Sequence, residues 1–458
     1  MTKKTIAIIC IAVLLIGGGL TTWLLIRVPR SQTLRIFIWD HFMAEGIENQ
    51  FQRYWRDHTG RRFRVVIGTY SSNDDLRRAL VNERADWDII VPSDYMLERL
   101  VAENRVRPLN LSRIYNLTPT GTDSIVRNIA PEGETANWQF NPDVIDSRIT
   151  GHIHRDTTAP VFGIPYLYGT MGVFIDNRIN GLREAVEHYG WASLWAHDAE
   201  LTPTWVSEFG VARNIQPSTK AIGRENYTLA RLAMHRDELL TLNGQALADR
   251  LDELFGAAPQ DGRETFQEEL TEVLRFLQRM HPQRIFESGD QTLEEFYSST
   301  NQHHMAFEWS VSAVYVMQYS NHRANFEYII PEEGTNLWIN NFAIPTNPHG
   351  HTRNVDAAYG FIEWMMRPEN ASRNMAWSGS STPIIEAADE LFYYFDNEST
   401  LFNNIPENRR EEWKEMFLRA FFPMQFNDIM ERAAVMRHFG ENRDQMLETY
   451  LMYNFLLG

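Results

Sequence analysis

The stretch Trp87-Asp88-Ile89-Ile90-Val91-Pro92-Ser93-Asp94-Tyr95 is an apolar run followed directly by a polar turn. A short apolar run of this kind predicts a strand that is buried on both faces, as in a parallel sheet. Leu34, Ile36 and Ile38 have the spacing of a strand, residues 63–70 also have strand character, and a helical pattern follows each of the two segments. The resulting β-α-β-α-β order, with short connections, predicts an α/β fold in which helices cover both faces of a parallel sheet.

Polar and aromatic residues stand where these three strands end. Ser72 precedes a helical pattern that carries Asp74 and Asp75 in its first turn, so the Ser72 hydroxyl is a predicted helix N-cap. Ligands of such sheets bind beyond the carboxyl ends of the strands. The strand ends that we therefore expect at a binding site are Trp39-Asp40-His41-Phe42, Tyr70-Ser71-Ser72 and Pro92-Ser93-Asp94-Tyr95.

The remaining chain alternates between irregular, strand and helix patterns. Residues 115–160 are rich in Asn, Thr, Gly, Pro and Asp and predict a long loop or a small insertion. Strand character returns at 162–177, and a strand pair is predicted at 305–309 and 326–330. Another strand is predicted at 337–344, and the chain is expected to end in helices.

The N-terminus carries a hydrophobic segment. Lys3 and Lys4 precede an uncharged apolar run from Thr5 to Ile26, which is long enough to cross a bilayer as a helix. No small-x-small cleavage site stands out after it, which favours an uncleaved anchor over a removed signal peptide. Cys10, the only cysteine, lies inside this run. We expect a periplasmic or cell-surface protein, anchored in the membrane, whose exported part has no disulfide.

Size and charge limit the classes of function. A chain of 458 residues exceeds the size at which a single hydrophobic core stops growing, so two domains are expected. The formal net charge of −17 would repel nucleic-acid phosphates, which argues against nucleic acid as a partner.

The sequence has no Gly-rich phosphate loop, nucleophile elbow, H-E-x-x-H or cysteine-based metal site. His152 with His154, and His349 with His351, form two H-x-H pairs without a third ligand at metal spacing, and we interpret them as solvated histidines. We therefore predict a protein that is not an enzyme and that has no cofactor and no metal site.

A string of short motifs along the chain resembles those of the periplasmic spermidine/putrescine-binding proteins that serve ABC importers. The motifs that carry the resemblance are Ile38-Trp39-Asp40-His41-Phe42, Thr69-Tyr70-Ser71-Ser72-Asn73, residues 87–95 quoted above, Gly163-Ile164-Pro165-Tyr166-Leu167-Tyr168-Gly169, Trp191-Ala192-Ser193-Leu194-Trp195, Glu333-Gly334, Trp338, Phe342-Ala343-Ile344-Pro345 and Ser381-Thr382-Pro383. It covers nearly all residues from about 33 onward, with extra length at 115–160 and 200–290.

The resemblance implies a periplasmic-binding-protein fold, in which two lobes close on a hinge over the ligand and the closed form meets permease subunits in the membrane. Aromatic walls would hold the methylene chain of an amine while carboxylates meet its ammonium groups. Carried over by motif, together with Asp94 at the same strand end, the ligand-binding residues would be Trp39, Phe42, Ser93, Asp94, Tyr95, Glu225, Trp309, Trp338, Asn340, Ser380 and Gln425.

Several of these positions depart from the family pattern. Where the family has D-x-R-E, this chain has Ile222-Gly223-Arg224-Glu225, so Glu225 is retained and the first acid is lost. Asn340 stands where the family has Asp, and Ser380 stands where it has Tyr. The aromatic residues are thus largely kept while the anionic partners of the amine are depleted.

These observations predict three segments and leave two functions open. The segments are an N-terminal signal or anchor at 1–32, an N-lobe at 33–170 with 343–400, and a C-lobe at 171–342 with 401–458. The first hypothesis is a monomeric solute-binding protein of an ABC importer that binds putrescine, spermidine or a related small amine. The second is a membrane-anchored sensory or scaffolding homologue that has lost polyamine binding and recognises another ligand or none.

Overall fold

The computed structural model describes most of the chain beyond the predicted anchor. The described residues are 29–81, 86–114, 145–146, 148–150, 159–215, 217–256, 263–281, 284–286, 304–346 and 354–451. The predicted anchor at 5–26, most of the predicted insertion at 115–160, and both H-x-H pairs lie outside these ranges. None of the helices in the described ranges has the length and apolar character that a bilayer span requires.

Strands and helices alternate in the first part of the chain, and helices dominate the last. The strands are β1 (Thr33–Trp39), β2 (Arg64–Tyr70), β3 (Ile89–Ile90), β4 (Ile164–Asp176), β5 (Pro217–Lys220), β6 (Arg284–Phe286), β7 (Met305–Trp309), β8 (Phe326–Ile329), β9 (Thr335–Phe342) and β10 (Ala433–Ala434). The helices are α1 (Ile47–Thr59), α2 (Asn73–Val81), α3 (Asp94–Ala102), α4 (Leu182–Tyr189), α5 (Gly223–Met234), α6 (Arg236–Leu239), α7 (Gly244–Phe255), α8 (Arg263–Gln278), α9 (Ser310–Tyr319), α10 (Val355–Met365), α11 (Pro368–Ser378), α12 (Ile385–Asn397), α13 (Arg410–Phe421), α14 (Asn427–Glu431) and α15 (Glu441–Leu451).

The N-terminal sheet has the predicted parallel arrangement, in the order β2-β1-β3. Ser72 caps α2 as expected, because the backbone N–H of Asp75 donates to its hydroxyl at 3.1 Å. The strand β3 is shorter than the predicted apolar run. Pro92 has no N–H to donate to a sheet, and α3 begins two residues after it, at Asp94.

The larger sheet is organised around β4, whose thirteen residues are all buried. Its first half pairs with β9, and its second half pairs with β7 on one edge and β8 on the other. The predicted pairing of 305–309 with 326–330 is therefore wrong. Both segments pair with β4 instead, because helix α9 separates them along the chain and they lie on opposite edges of the same strand.

Two separate apolar cores show why the fold has two lobes. One core joins β1, α1 and α10 to Tyr166 on β4 and Phe342 on β9. The other joins α4, α5, α7 and α8 to Met171 further along β4. The paired strands β4 and β9 thus run between the lobes, and the predicted α/β two-lobed fold is confirmed.

A third apolar cluster packs α9 and β8 against α12 and α13. Through it, the segment after residue 385 contacts elements of 305–329 as well as α11. The lobe boundaries given in the sequence analysis remain a prediction.

Candidate ligand-binding site

The ends of several strands supply the predicted site residues. Trp39 ends β1, and Ser93 precedes α3 just beyond β3. In the larger sheet β5 and β7 are parallel, so their last residues, Lys220 and Trp309, lie at one end of that sheet. Such carboxyl ends are where open α/β sheets bind ligands.

Three of the five predicted aromatic wall residues contact one another. The ring centroids of Trp39 and Phe42 are 6.3 Å apart, and those of Phe42 and Trp338 are 6.1 Å apart. Trp39 also contacts Tyr70 at 4.9 Å. The indole nitrogen of Trp39 is buried and has no hydrogen-bond partner among the described residues. The group presents aromatic faces and edges that can hold an alkyl chain or a cation.

The position of Trp338 depends on a close approach to β4. Trp338 pairs with Gly169, and its indole N–H donates to the carbonyl of Thr170 at 3.1 Å. A Cβ at position 169 would lie 2.5 Å from Cζ2 of Trp338 and 2.3 Å from Oγ of Ser310. Any residue larger than glycine at position 169 would therefore force the indole or the Ser310 side chain to move.

Ser93, Asp94 and Asn340 form a buried polar cluster between α3 and β9. The Ser93 hydroxyl donates to Oδ1 of Asn340 at 2.9 Å. The Asp94 carboxylate accepts backbone N–H groups of Tyr95 at 2.6 Å and Ile339 at 3.2 Å. Burial raises the pKa of Asp94 to about 7, and these two hydrogen bonds oppose that rise. Asp94 thus fastens α3 to β9, and its predicted contact with ligand remains a prediction.

Glu225 lies in the first turn of α5 and is almost completely buried. Its Oε2 atom has no hydrogen-bond partner among the described residues. Burial raises its pKa to about 7, while the positive charges of Arg224 and Lys220 act in the opposite direction. A buried carboxylate with an open hydrogen-bonding position is a receptor for a cationic donor.

Tyr95 lies in the first turn of α3. Its pKa is raised well above the usual value by burial and then by the negative charges of Glu225 and Asp74. The Tyr95 hydroxyl accepts a hydrogen bond from Asn73 at 3.1 Å, and the Arg224 guanidinium lies 5.3 Å from the ring centroid. The two acids lie on different helices, Asp74 on α2 and Glu225 on α5.

A cation of the protein itself, the Lys220 ammonium group, lies over the ring of Trp309. The Nζ atom of Lys220 lies 4.8 Å from the centroid of the Trp309 ring and 2.7 Å from Oε1 of Glu308. Lys220 is only 1% exposed. Lys220 was not among the residues predicted from the sequence, and the available signal was a lysine at the end of the short segment Pro217-Ser218-Thr219-Lys220.

The last two predicted residues differ in their surroundings. Ser380 is fully buried beside the bridge between Tyr168 and Ser381, and its hydroxyl has no partner among the described residues. Gln425 is exposed, and its side-chain amide donates to Asp389 at 2.8 Å. In the described part of the chain no hydrogen bond or ring contact joins Gln425 to the other ten predicted residues.

Within the described ranges no group of three or more His, Cys, Asp or Glu side chains is placed to hold a metal ion.

This chain is similar in sequence to known bacterial proteins. Residues 49–398 match the family model described as bacterial extracellular solute-binding protein. The spermidine/putrescine-binding periplasmic protein of Escherichia coli is 20% identical over 389 residues, covering 84% of this chain and 87% of that protein. The putrescine/agmatine-binding protein of Pseudomonas aeruginosa is 21% identical over 366 residues, covering 77% and 80%.

Solved structures show the same fold. The spermidine/putrescine ABC transporter substrate-binding protein of Streptococcus pneumoniae superposes with a TM-score of 0.57 at 21% identity, covering 93% of this chain and 99% of that one. The TpPotD lipoprotein of Treponema pallidum superposes with a TM-score of 0.57 at 15% identity, covering 92% and 99%.

Proposed function

This chain belongs to the bacterial extracellular solute-binding proteins, and from that premise we propose that it captures a polyamine or a related small amine between its lobes and passes it to the permease of an ABC importer. The family resemblance found in the sequence is confirmed. Its members are solute-binding proteins of transporters, and we propose that this one likewise binds its ligand without transforming it.

The proposal depends above all on the buried carboxylate of Glu225, whose hydrogen bonding is incomplete among the described residues. A carboxylate in this degree of burial is destabilised unless a cation or several hydrogen-bond donors face it. Its Oε2 has no hydrogen-bond partner among the described residues, although the charges of Arg224 and Lys220 act on this acid. The ammonium group of an amine would supply the N–H donors that this oxygen lacks and a positive charge in direct contact with it.

The aromatic residues support the same ligand class. The contacting rings of Trp39, Phe42 and Trp338 offer a surface on which the methylene groups of an amine can pack. Ammonium groups are also attracted to the faces of tryptophan rings.

A second candidate function is favoured by the lost acids. Asn340 is a neutral amide whose side-chain oxygen accepts from Ser93, and Ile222 is apolar, so two anionic partners of a polyamine are absent from these positions. With an uncleaved anchor, such a chain would serve as a membrane-anchored sensor or scaffold for another ligand.

Calorimetric titration of the exported part against amines, amino acids and sugars tests the proposal. We expect an amine to bind, and Glu225→Gln to weaken its binding by about 30-fold or more, because a desolvated ammonium then loses its carboxylate. Glu363→Gln is the matched control, since Glu363 is also a buried acid whose pKa burial raises to about 7, and it pairs with Arg367 outside the proposed site. Binding of a sugar in place of any amine, or an unchanged affinity in Glu225→Gln, would contradict the proposal.

A further inference from the structure

The ammonium group of Lys220 lies over one face of the Trp309 ring. Ser218 pairs with Ala306 across the parallel strands β5 and β7, and continuing this register places Lys220 beside Glu308. The Nζ atom of Lys220 accordingly lies 2.7 Å from Glu308 and 4.8 Å from the centre of the neighbouring indole. Strand register therefore holds an ammonium group over the ring.

We infer that Lys220 is a specificity-determining residue that restricts this site to ligands with a single ammonium group, a conclusion that rests on the proposed amine-binding function. An ammonium from the protein occupies the Trp309 face and engages the carboxylate beside it. A diamine would need the same face and the same carboxylate for its second ammonium group.

Charge repulsion works in the same direction. Two like charges a few ångströms apart in a cleft of low polarity repel strongly, and the Lys220 side chain is withdrawn from the solvent that would screen them. The charge of Lys220 also reaches Glu225, because it acts to lower the pKa of that acid. One ammonium group can bind at Glu225, while the far end of the ligand meets a protein cation.

A purely structural role for the Lys220–Glu308 pair makes a different prediction. A pair that only fastened β5 to β7 would change the stability of the protein and the affinity for all ligands together. A specificity role changes the ratio of affinities between ligands of equal length and different charge. Putrescine, n-butylamine and 4-aminobutyrate share a four-carbon chain, and they differ in the group at one end.

The first test uses the unmodified protein. We expect n-butylamine or 4-aminobutyrate to bind at least about tenfold more tightly than putrescine, measured by calorimetry at low salt. Putrescine binding as tightly as both monoamines, or more tightly, would overturn the inference and leave the proposed function standing. If none of the three binds, and no other amine does, the proposed function fails and the inference fails with it.

The second test uses two variants. Lys220→Met removes the protein's own ammonium group from the face of Trp309, so the affinity ratio should shift towards putrescine by at least about tenfold. The double variant Lys220→Met/Glu308→Gln contains no buried charge at either position. It should bind putrescine and n-butylamine with a ratio near one, and it remains informative if the single variant does not fold. An unchanged ratio in the folded variants would overturn the inference.

Discussion

The hydroxyl of Ser93 donates a 2.9 Å hydrogen bond to the side-chain oxygen of Asn340, and this bond joins the start of α3 to the strand β9 that runs between the lobes. The acceptor atom would remain in place if Asn340 became an aspartate, because the two side chains have nearly the same shape. The substitution Asn340→Asp can therefore show how much ligand affinity the missing acid costs, without a change in packing.

We predict that Asn340→Asp tightens the binding of putrescine by about tenfold at low salt, because it returns one negative charge to the cleft. Asn336→Asp is the matched control, since it makes the same change on the same buried strand next to β10. Calorimetry measures the affinity of both variants for putrescine. Tight binding of putrescine by the unmodified protein, with no gain in Asn340→Asp, would show that position 340 is not an anionic partner in this chain.

Proton release should accompany amine binding at Glu225. Burial raises the pKa of this acid to about 7, and an ammonium ligand favours its ionised form. Binding near pH ~6.5 should then release part of a proton, and the affinity should rise with pH up to about 8. Calorimetry in two buffers of different ionisation enthalpy measures the release, and it should disappear in Glu225→Gln. Equal heats in both buffers for the unmodified protein would contradict this prediction.

Local sequence patterns were enough to predict where several strands end. They could not predict which distant strands pair with one another. The alternation of strands and helices over 33–95 was enough to predict a parallel sheet with Trp39 at the end of one strand and Ser93 just beyond another. The proximity of Lys220 to Trp309 depends on the pairing of β5 with β7, which joins segments distant in sequence and follows no short motif. The incorrect pairing of 305–309 with 326–330 has the same cause, because β4 provides two edges that sequence periodicity does not reveal.

The close approach of β4 to Trp338 can be tested by one methyl group. Gly169→Ala would place a Cβ 2.5 Å from the indole and 2.3 Å from Ser310, so Trp338 must move. We expect a loss of about 1–3 kcal/mol in the free energy of unfolding and weaker ligand binding. Gly223→Ala controls for the loss of a glycine, since a Cβ there meets only Leu451 at 3.5 Å. Equal thermal stability of the two variants would contradict the predicted clash.

The buried acid Glu363 should make the stability of the folded protein depend on pH. Burial raises its pKa in the folded state to about 7, despite the opposing charge of Arg367. A pKa above the unfolded value gives a stabilising contribution that is complete below the unfolded pKa and is lost as the pH rises through about 7. Glu363→Gln should therefore gain stability relative to the unmodified protein between about pH 5 and pH 8, by about 1–3 kcal/mol. Denaturant unfolding at both pH values measures the difference, and a constant difference would contradict the prediction.

The N-terminal hydrophobic run predicts that the protein is anchored in the membrane. Thr5 to Ile26 is long enough to cross a bilayer, two lysines precede it, and no small-x-small cleavage site stands out after it. We expect the mature protein to keep this segment and to fractionate with membranes, with the two lobes on the outer side. Intact-mass spectrometry of the detergent-extracted protein checks this directly, and a version lacking residues 1–28 should fractionate with soluble proteins as the control. A native fragment that begins near residue 28 would show that the segment is a cleaved signal peptide, which would refute the anchor but not export.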